Sequence, residues 1–385
     1  MKTQLRRVLP AACLLWSALS AALPAAAQPN LTLPPTGDNQ KSSVTQHMGL
    51  VSVTIEYNSV DVHAPTGEDR KGKIWGQLVP WGTTDLGFSG RPSPWRVGSN
   101  ENTTLTVSHD VELEGKKLPA GKYGLHMIPA ANGEWTLILS KNAAAWGSYF
   151  YDEKEDALRV PVKAEPAGYS EWLNFTFLDR QLDTCQVALE WENLRVPFRI
   201  RVPNTLELYV NSLRRELTGN FGFDPVAYNN AANFVLQRDK DGKYLDQALA
   251  WANTAVNPPV GRRNFDGLIT LATALDRAGR GEEAKKARAE ALADPAVTPL
   301  QIHFHARQLS TMGKHQDALA VFQENARRFP GAWPTELGLA RGYAGVGDNK
   351  KALEHARKAL ATAPDAAAKA NVEGLVARLE KGEKI

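Results

Sequence analysis

The chain has 385 residues, with 45 Lys and Arg against 42 Asp and Glu and a formal net charge of +3. That length holds more than one domain, and neither the charge balance nor any basic run provides the electrostatic footprint of a nucleic-acid binder. Two cysteines exclude a disulfide framework.

The opening residues, MKTQLRRVLPAACLLWSALSAALPAAAQ, read as a bacterial secretory signal peptide over 1–27. Lys2, Arg6 and Arg7 form its positive region, Leu9 to Leu23 its apolar segment, and Ala25 to Ala27 the small residues before a cut after Ala27. The expected location is therefore periplasmic or secreted. Removing those three basic residues leaves 42 basic and 42 acidic ones. No later apolar run reaches about eighteen residues, so no membrane span is expected after cleavage. Residues 28–42 are expected to form a flexible N-terminus.

From 43 to 202 the pattern alternates with a period of two. Val51, Val53, Ile55 and Tyr57 fall on one face, and Trp135, Leu137 and Leu139 do the same after an Asn132-Gly133 turn signal. Leu173, Phe175 and Phe177 form a third such stripe. Near the end, a hairpin closed by Glu192-Asn193 sets Trp191 against Leu194, Leu189 against Val196, Val187 against Phe198 and Cys185 against Ile200, with Glu190 opposite Arg195. A one-residue slip would bury the arginines. Cys185 is in phase with the core and reads as a buried, inert thiol. At least eight such strands predict an antiparallel β-sandwich.

The texture changes at Pro203. A connecting helix is predicted over 203–223, helical repeats over 224–364 and a capping helix over 365–385. Ala284, Ala318 and Ala352 recur every 34 residues, each five residues after a glycine (Gly279, Gly313, Gly347). Leu271, His305 and Leu339 share one earlier position of the unit. Spacing and small residues match the tetratricopeptide pattern of paired antiparallel helices, with Ala248 in a less regular first unit. The fold class is thus α+β multidomain: an N-terminal β-sandwich and C-terminal all-α repeats.

The motifs GKIWGQLVPWG, PWRVGSNENTTL, VELEGKKLPAGKYGLHMIP and EWTLILSKN follow in an order that resembles domain of unknown function family 2911, over about residues 43–202. Its W-R-x-G-x-N-E signature is carried by Trp95, Arg96, Gly98, Asn100 and Glu101, and its L-P-A-G-x-Y turn by Leu118, Pro119, Ala120, Gly121 and Tyr123. The resemblance implies a secreted or periplasmic bacterial domain, often followed by tetratricopeptide-like helices, and carries no agreed activity. The link TTDLGFSGRPS between Trp81 and Pro94 is longer than the family's usual one.

No nucleophile elbow, H-E-x-x-H pair, phosphate loop or dinucleotide fingerprint occurs, and nothing calls for a cofactor. Arg96, Asn100 and Glu101 could grip an anionic or hydroxyl-rich ligand, Arg offering a planar fork of donors. The blander and stronger reading pairs Arg96 with Glu101 and uses Asn100 in a tight turn. Trp81, Trp95 and Trp146 sit beside Gly or Pro and are candidates for stacking on a ligand. His63, His109 and His126, with Asp61 or Asp110 nearby, have no compact metal-ligand spacing. The leading expectation is a non-enzymatic exported binding or scaffold protein, its repeats meeting a protein or peptide and its β-region a possible glycan or small ligand. The alternative is a carbohydrate-active or other hydrolase or binding module that uses the stretch of Trp95, Arg96, Asn100 and Glu101, with Glu101 as acid or base and Arg96 orienting substrate.

Overall fold

A computed structural model describes residues 39–64, 67–87, 90–383 and 385. The predicted leader and residues 28–38 lie outside the described residues. The first strand begins at Gln40, within the segment expected to be flexible.

Strands β1 (Gln40–Met48), β2 (Val51–Ser59), β5 (Thr104–Val107), β8 (Gly121–Ile128), β9 (Glu134–Ser140) and β10 (Asp156–Lys163) form a six-stranded antiparallel sheet in that spatial order. A second sheet orders β11 (Glu165–Leu178), β12 (Thr184–Arg201), β6 (Val111–Leu113) and β7 (Lys116–Leu118). The inward side chains of both sheets, including Val53, Ile55, Leu105, Leu125, Leu137, Phe175, Val187 and Phe198, share one buried core. This is the predicted sandwich. The long link after Trp81 forms a small separate ribbon, β3 (Thr84–Asp85) against β4 (Pro92–Ser93).

The predicted hairpin at Glu192-Asn193 does not exist. One 18-residue strand, β12, runs straight through it, pairing first with β11 and then with β6. Cys185, Val187, Leu189 and Trp191 are buried, as are Val196, Phe198 and Ile200, although the first set is odd-numbered and the second even. A left-handed residue, Glu192 at φ 55°, changes the phase, as in a β-bulge. Glu190 and Arg195 do form an ion pair, across the bulge within one strand. Cys185 is buried, which pushes its thiol up to about 11.

Ten α-helices follow among the described residues: α1 (Thr205–Glu216), α2 (Pro225–Arg238), α3 (Leu245–Val256), α4 (Phe265–Arg277), α5 (Gly281–Ala293), α6 (Pro299–Thr311), α7 (His315–Arg328), α8 (Trp333–Gly345), α9 (Asn349–Ala361) and α10 (Ala366–Glu380). Helix α1 joins the two cores: Leu208 packs on the sandwich, Val210 on the helices, and the Tyr209 hydroxyl fills the space above Gly49. Helices α2 to α9 form four antiparallel pairs. Ala248, Ala284, Ala318 and Ala352 are fully buried where the paired helices cross. Gly279, Gly313 and Gly347 take φ of 75°, 77° and 87° in the turns, a conformation that only glycine adopts freely. The first helices of neighbouring pairs touch one another (α2 with α4, α4 with α6, α6 with α8), so they line the inner face of the array.

Candidate functional site

The signature stretch is held by its backbone. Trp95 exchanges N–H···O bonds with Met127 on β8 at 2.8 and 2.9 Å. The chain then turns sharply, with Val97 at φ 56° and Asn100 at φ 55° in the left-handed region, a costly conformation for a β-branched valine. Thr103 Oγ1 donates to the Val97 carbonyl at 2.7 Å, and Ser99 N–H donates to the Asn58 carbonyl at 3.3 Å. Gly98 is required, since a Cβ there would lie 2.8 Å from the Asn58 carbonyl oxygen.

These turns separate the predicted residues. Arg96 and Glu101 form no ion pair; among the described residues no carboxylate reaches Arg96. Instead Arg96 donates to the Asn100 carbonyl at 3.0 Å, and its guanidinium lies 4.8 Å from the centre of the Tyr149 ring. Gly147 packs directly against that guanidinium, where a Cβ would come within 2.6 Å. Asn100 is exposed, at a left-handed bend of the backbone. Glu101 accepts a bond from Asn58 Nδ2 at 2.8 Å.

Two pockets result. Trp95 and Arg96 line one of 410 Å³, with Asp61, Arg70, Ser99 and Trp191. Glu101 and Trp146 line another of 220 Å³, with Glu56, Asn102 and Lys122. Trp81 lines neither; its indole covers Gly76. Trp95 also belongs to a tryptophan cluster, its ring 5.7 Å from Trp75, 6.3 Å from Trp135 and 6.3 Å from Trp191. Asp61, Arg70, Ser99 and Trp191 come from separate segments with no shared spacing, so nothing in the sequence marks them as one site, and Trp191 is in phase with the core.

The three histidines of the β-region have different partners. His63 binds Glu171 at 2.9 Å, His109 meets the Ser108 hydroxyl at 2.9 Å, and buried His126 meets Ser148 Oγ at 2.9 Å. Among the described residues no group of three His, Cys, Asp or Glu is arranged to hold a metal ion.

A larger groove of 520 Å³ opens on the inner face of α2, α4 and α6. Its lining combines amides (Asn229, Asn230, Asn233, Gln301, Gln308) with the exposed apolar side chains of Val226 and Phe304. Phe221 and Phe223, just before α2, are also exposed. Two groups in this groove are buried without a hydrogen-bond partner among the described residues: Asn229 Oδ1 and both ring nitrogens of His305. His305 is 8% exposed and occupies the repeat position where Leu271 and Leu339 are buried. A polar side chain in a leucine slot, with nothing to bond, marks this part of the array.

Burial pushes three histidines down to about 4: His126, with the nearby Arg96 charge adding to the effect, His303, despite its bond to the Pro334 carbonyl, and His305, beside Arg288. Their folded values lie below the unfolded value of 6.5. The unfolded chain therefore takes up protons first as pH falls, and stability present above 6.5 is lost toward 4. The melting temperature should fall most steeply across that window. A profile flat from pH 6.5 to 4 would contradict the burial of these rings.

Residues 39–200 match the model of a family described as a protein of unknown function (DUF2911). No curated protein is found to be similar to the chain. Solved structures similar to the helical region include TTC0263, a thermophilic TPR protein of Thermus thermophilus, at 20% identity over 46% of this chain and 93% of that one, with a TM-score of 0.31. MamA of Desulfovibrio magneticus RS-1 is similar at 16% identity, over 41% of this chain and 98% of that one, with a TM-score of 0.24. YrrB, described as a TPR protein with an unusual peptide-binding site, is similar at 16% identity, over 43% of this chain and 99% of that one, with a TM-score of 0.20.

Proposed function

We propose that this chain, which carries a DUF2911 domain over residues 39–200, is an exported, non-enzymatic binding protein whose helical repeats take up an extended peptide segment of a partner protein. The observation that carries this reading is the groove of α2, α4 and α6, with Asn229 Oδ1 and the His305 ring buried there unpartnered. A primary amide both donates and accepts, so it can pair with the N–H and C=O of a peptide backbone without regard to sequence. Val226, Phe304, Phe221 and Phe223 supply apolar seats for side chains. Export rests on the charge and hydrophobic pattern of residues 1–27 alone.

The test is selection of peptides from a random display library on the full chain, followed by affinity measurement on Asn229→Ala and Asn233→Ala. The reading expects an enriched peptide that binds the native chain and loses about tenfold or more with these variants, a charge-free bond being worth about 1 kcal/mol and an orphaned partner more. Equal binding by folded variants would place the peptide elsewhere.

A glycan site in the smaller pocket has one observation in its favour: Trp146, 53% exposed, faces the same space as Glu56 and Glu101. Glu56 is not suited to be an acid there. Lys122 bonds to Glu56 and holds its carboxyl below the usual range, so it has no proton to give near neutrality. Binding of neutral oligosaccharides, lost with Trp146→Ala, would support this second reading; no binding would remove it.

A further inference from the structure

The pocket of 410 Å³ beside the signature stretch has features that neither the sandwich core nor the helical groove accounts for. Two cations reach it. Arg96 is fixed by the Asn100 carbonyl and the Tyr149 ring, with no carboxylate partner among the described residues. Arg70, its backbone tied to Val62, has among the described residues only the exposed carboxylate of Glu68 at 3.6 Å. Two buried donors are also without a partner among the described residues: the Ser99 hydroxyl and the indole N–H of Trp191, a residue only 2% exposed. A buried indole N–H ordinarily finds an acceptor. Asn39 and buried Asp61 line the same pocket, and the Asp61 carboxylate makes no hydrogen bond among the described residues. The rings of Trp95 and Trp191 lie 15° from parallel, and both line the pocket.

We propose that this pocket binds a small carboxylic acid that also carries a hydrogen-bond donor, the chemistry shared by amino acids and hydroxy acids. The guanidinium of Arg96, with Arg70, Ser99 and Trp191, holds the carboxylate, since a planar fork of donors matches its two oxygens. Asp61 accepts from the ammonium or hydroxyl of the same molecule. The charges select the class: Arg70 already has Glu68 beside it, so Arg96 is the cation that a single carboxylate neutralises. A multiply charged oxyanion would be repelled by Asp61, and a neutral sugar would leave the Arg96 guanidinium without a carboxylate. The volume lies within the range of small-ligand pockets, about 300–1,000 Å³. Left-handed Val97 and Asn100 hold the lining in a conformation that costs energy, a feature that gathers at ligand sites.

Calorimetric titration of the full chain tests this with alanine, glutamate, lactate and gluconate as one arm. Their methyl esters, acetate and sulfate at matched ionic strength form the other. The expected result is saturable binding by at least one of the first group and at least about tenfold weaker binding by its ester, which lacks the charged acceptor. Sulfate or acetate binding as tightly would overturn the ligand class. No binding by any member of the first group would overturn the site. Arg96→Lys keeps the charge and removes the fork, and should weaken binding. Arg96→Ala removes a residue that also braces the loop, so Ser99→Ala is the decisive variant. A merely structural Ser99, having no partner, would leave affinity unchanged; the proposal expects weaker binding with an unchanged or higher melting temperature.

Discussion

Phe198→Ala is expected to destabilise the β-region by about 3–5 kcal/mol, while Asn193→Ala leaves stability within about 0.5 kcal/mol because the side chain is exposed. Phe198 is fully buried, and the bulge at Glu192 turns it, with Val196 and Ile200, into the same core as Trp191. A loss of that size is a large share of the stability of an ordinary domain, about 5–15 kcal/mol. Deleting Asn193 brings Trp191 and Val196 to an even separation, so a regular strand then turns both inward and the deletion variant should still fold. Circular dichroism and chemical denaturation of the variants would show both results. A Phe198→Ala variant as stable as the native chain would mean that the downstream half of the strand does not face the core.

His305→Leu is expected to move the helical region the other way, stabilising it by about 1–3 kcal/mol, the cost of leaving a buried polar group unpaired. The substitution restores the residue type found at Leu271 and Leu339, which are buried at 6% and 7% exposure. It removes two orphaned ring nitrogens. It also removes a group that the native chain pushes down to about 4, so the loss of stability between pH 6.5 and 4 should become shallower. The same variant should bind the selected peptide more weakly, a gain in stability set against a loss of function. A destabilised His305→Leu variant would show that the ring has partners, and the groove reading would lose its main support.

Much of this fold was legible in the sequence, and the failures have physical causes. The repeat was readable because helix crossings demand a small residue at a fixed interval, and Ala284, Ala318 and Ala352 keep it. The sandwich was readable because period-two alternation survives in β2 and β9. At Glu192 the change of phase was readable but its cause was not. A two-residue turn and a left-handed bulge produce the same switch of parity, and only long-range pairing with β6 distinguishes them. The candidate site failed differently. Arg96 and Glu101 are near in sequence, yet the left-handed Val97 and Asn100 turn them into different pockets. Asp61, Arg70, Ser99 and Trp191 meet through tertiary packing alone. His305 stood in view as the one polar residue among Leu271 and Leu339, and its meaning came only from burial without a partner.

The most direct test of the account is hydrogen exchange on the full chain with and without a display-selected peptide. The account predicts slowed exchange in α2, α4 and α6, strongest around Asn229, Thr270 and His305, with the outer helices α5, α7 and α9 and the β-region unchanged. Protection confined to the β-region or to the outer helices would contradict it.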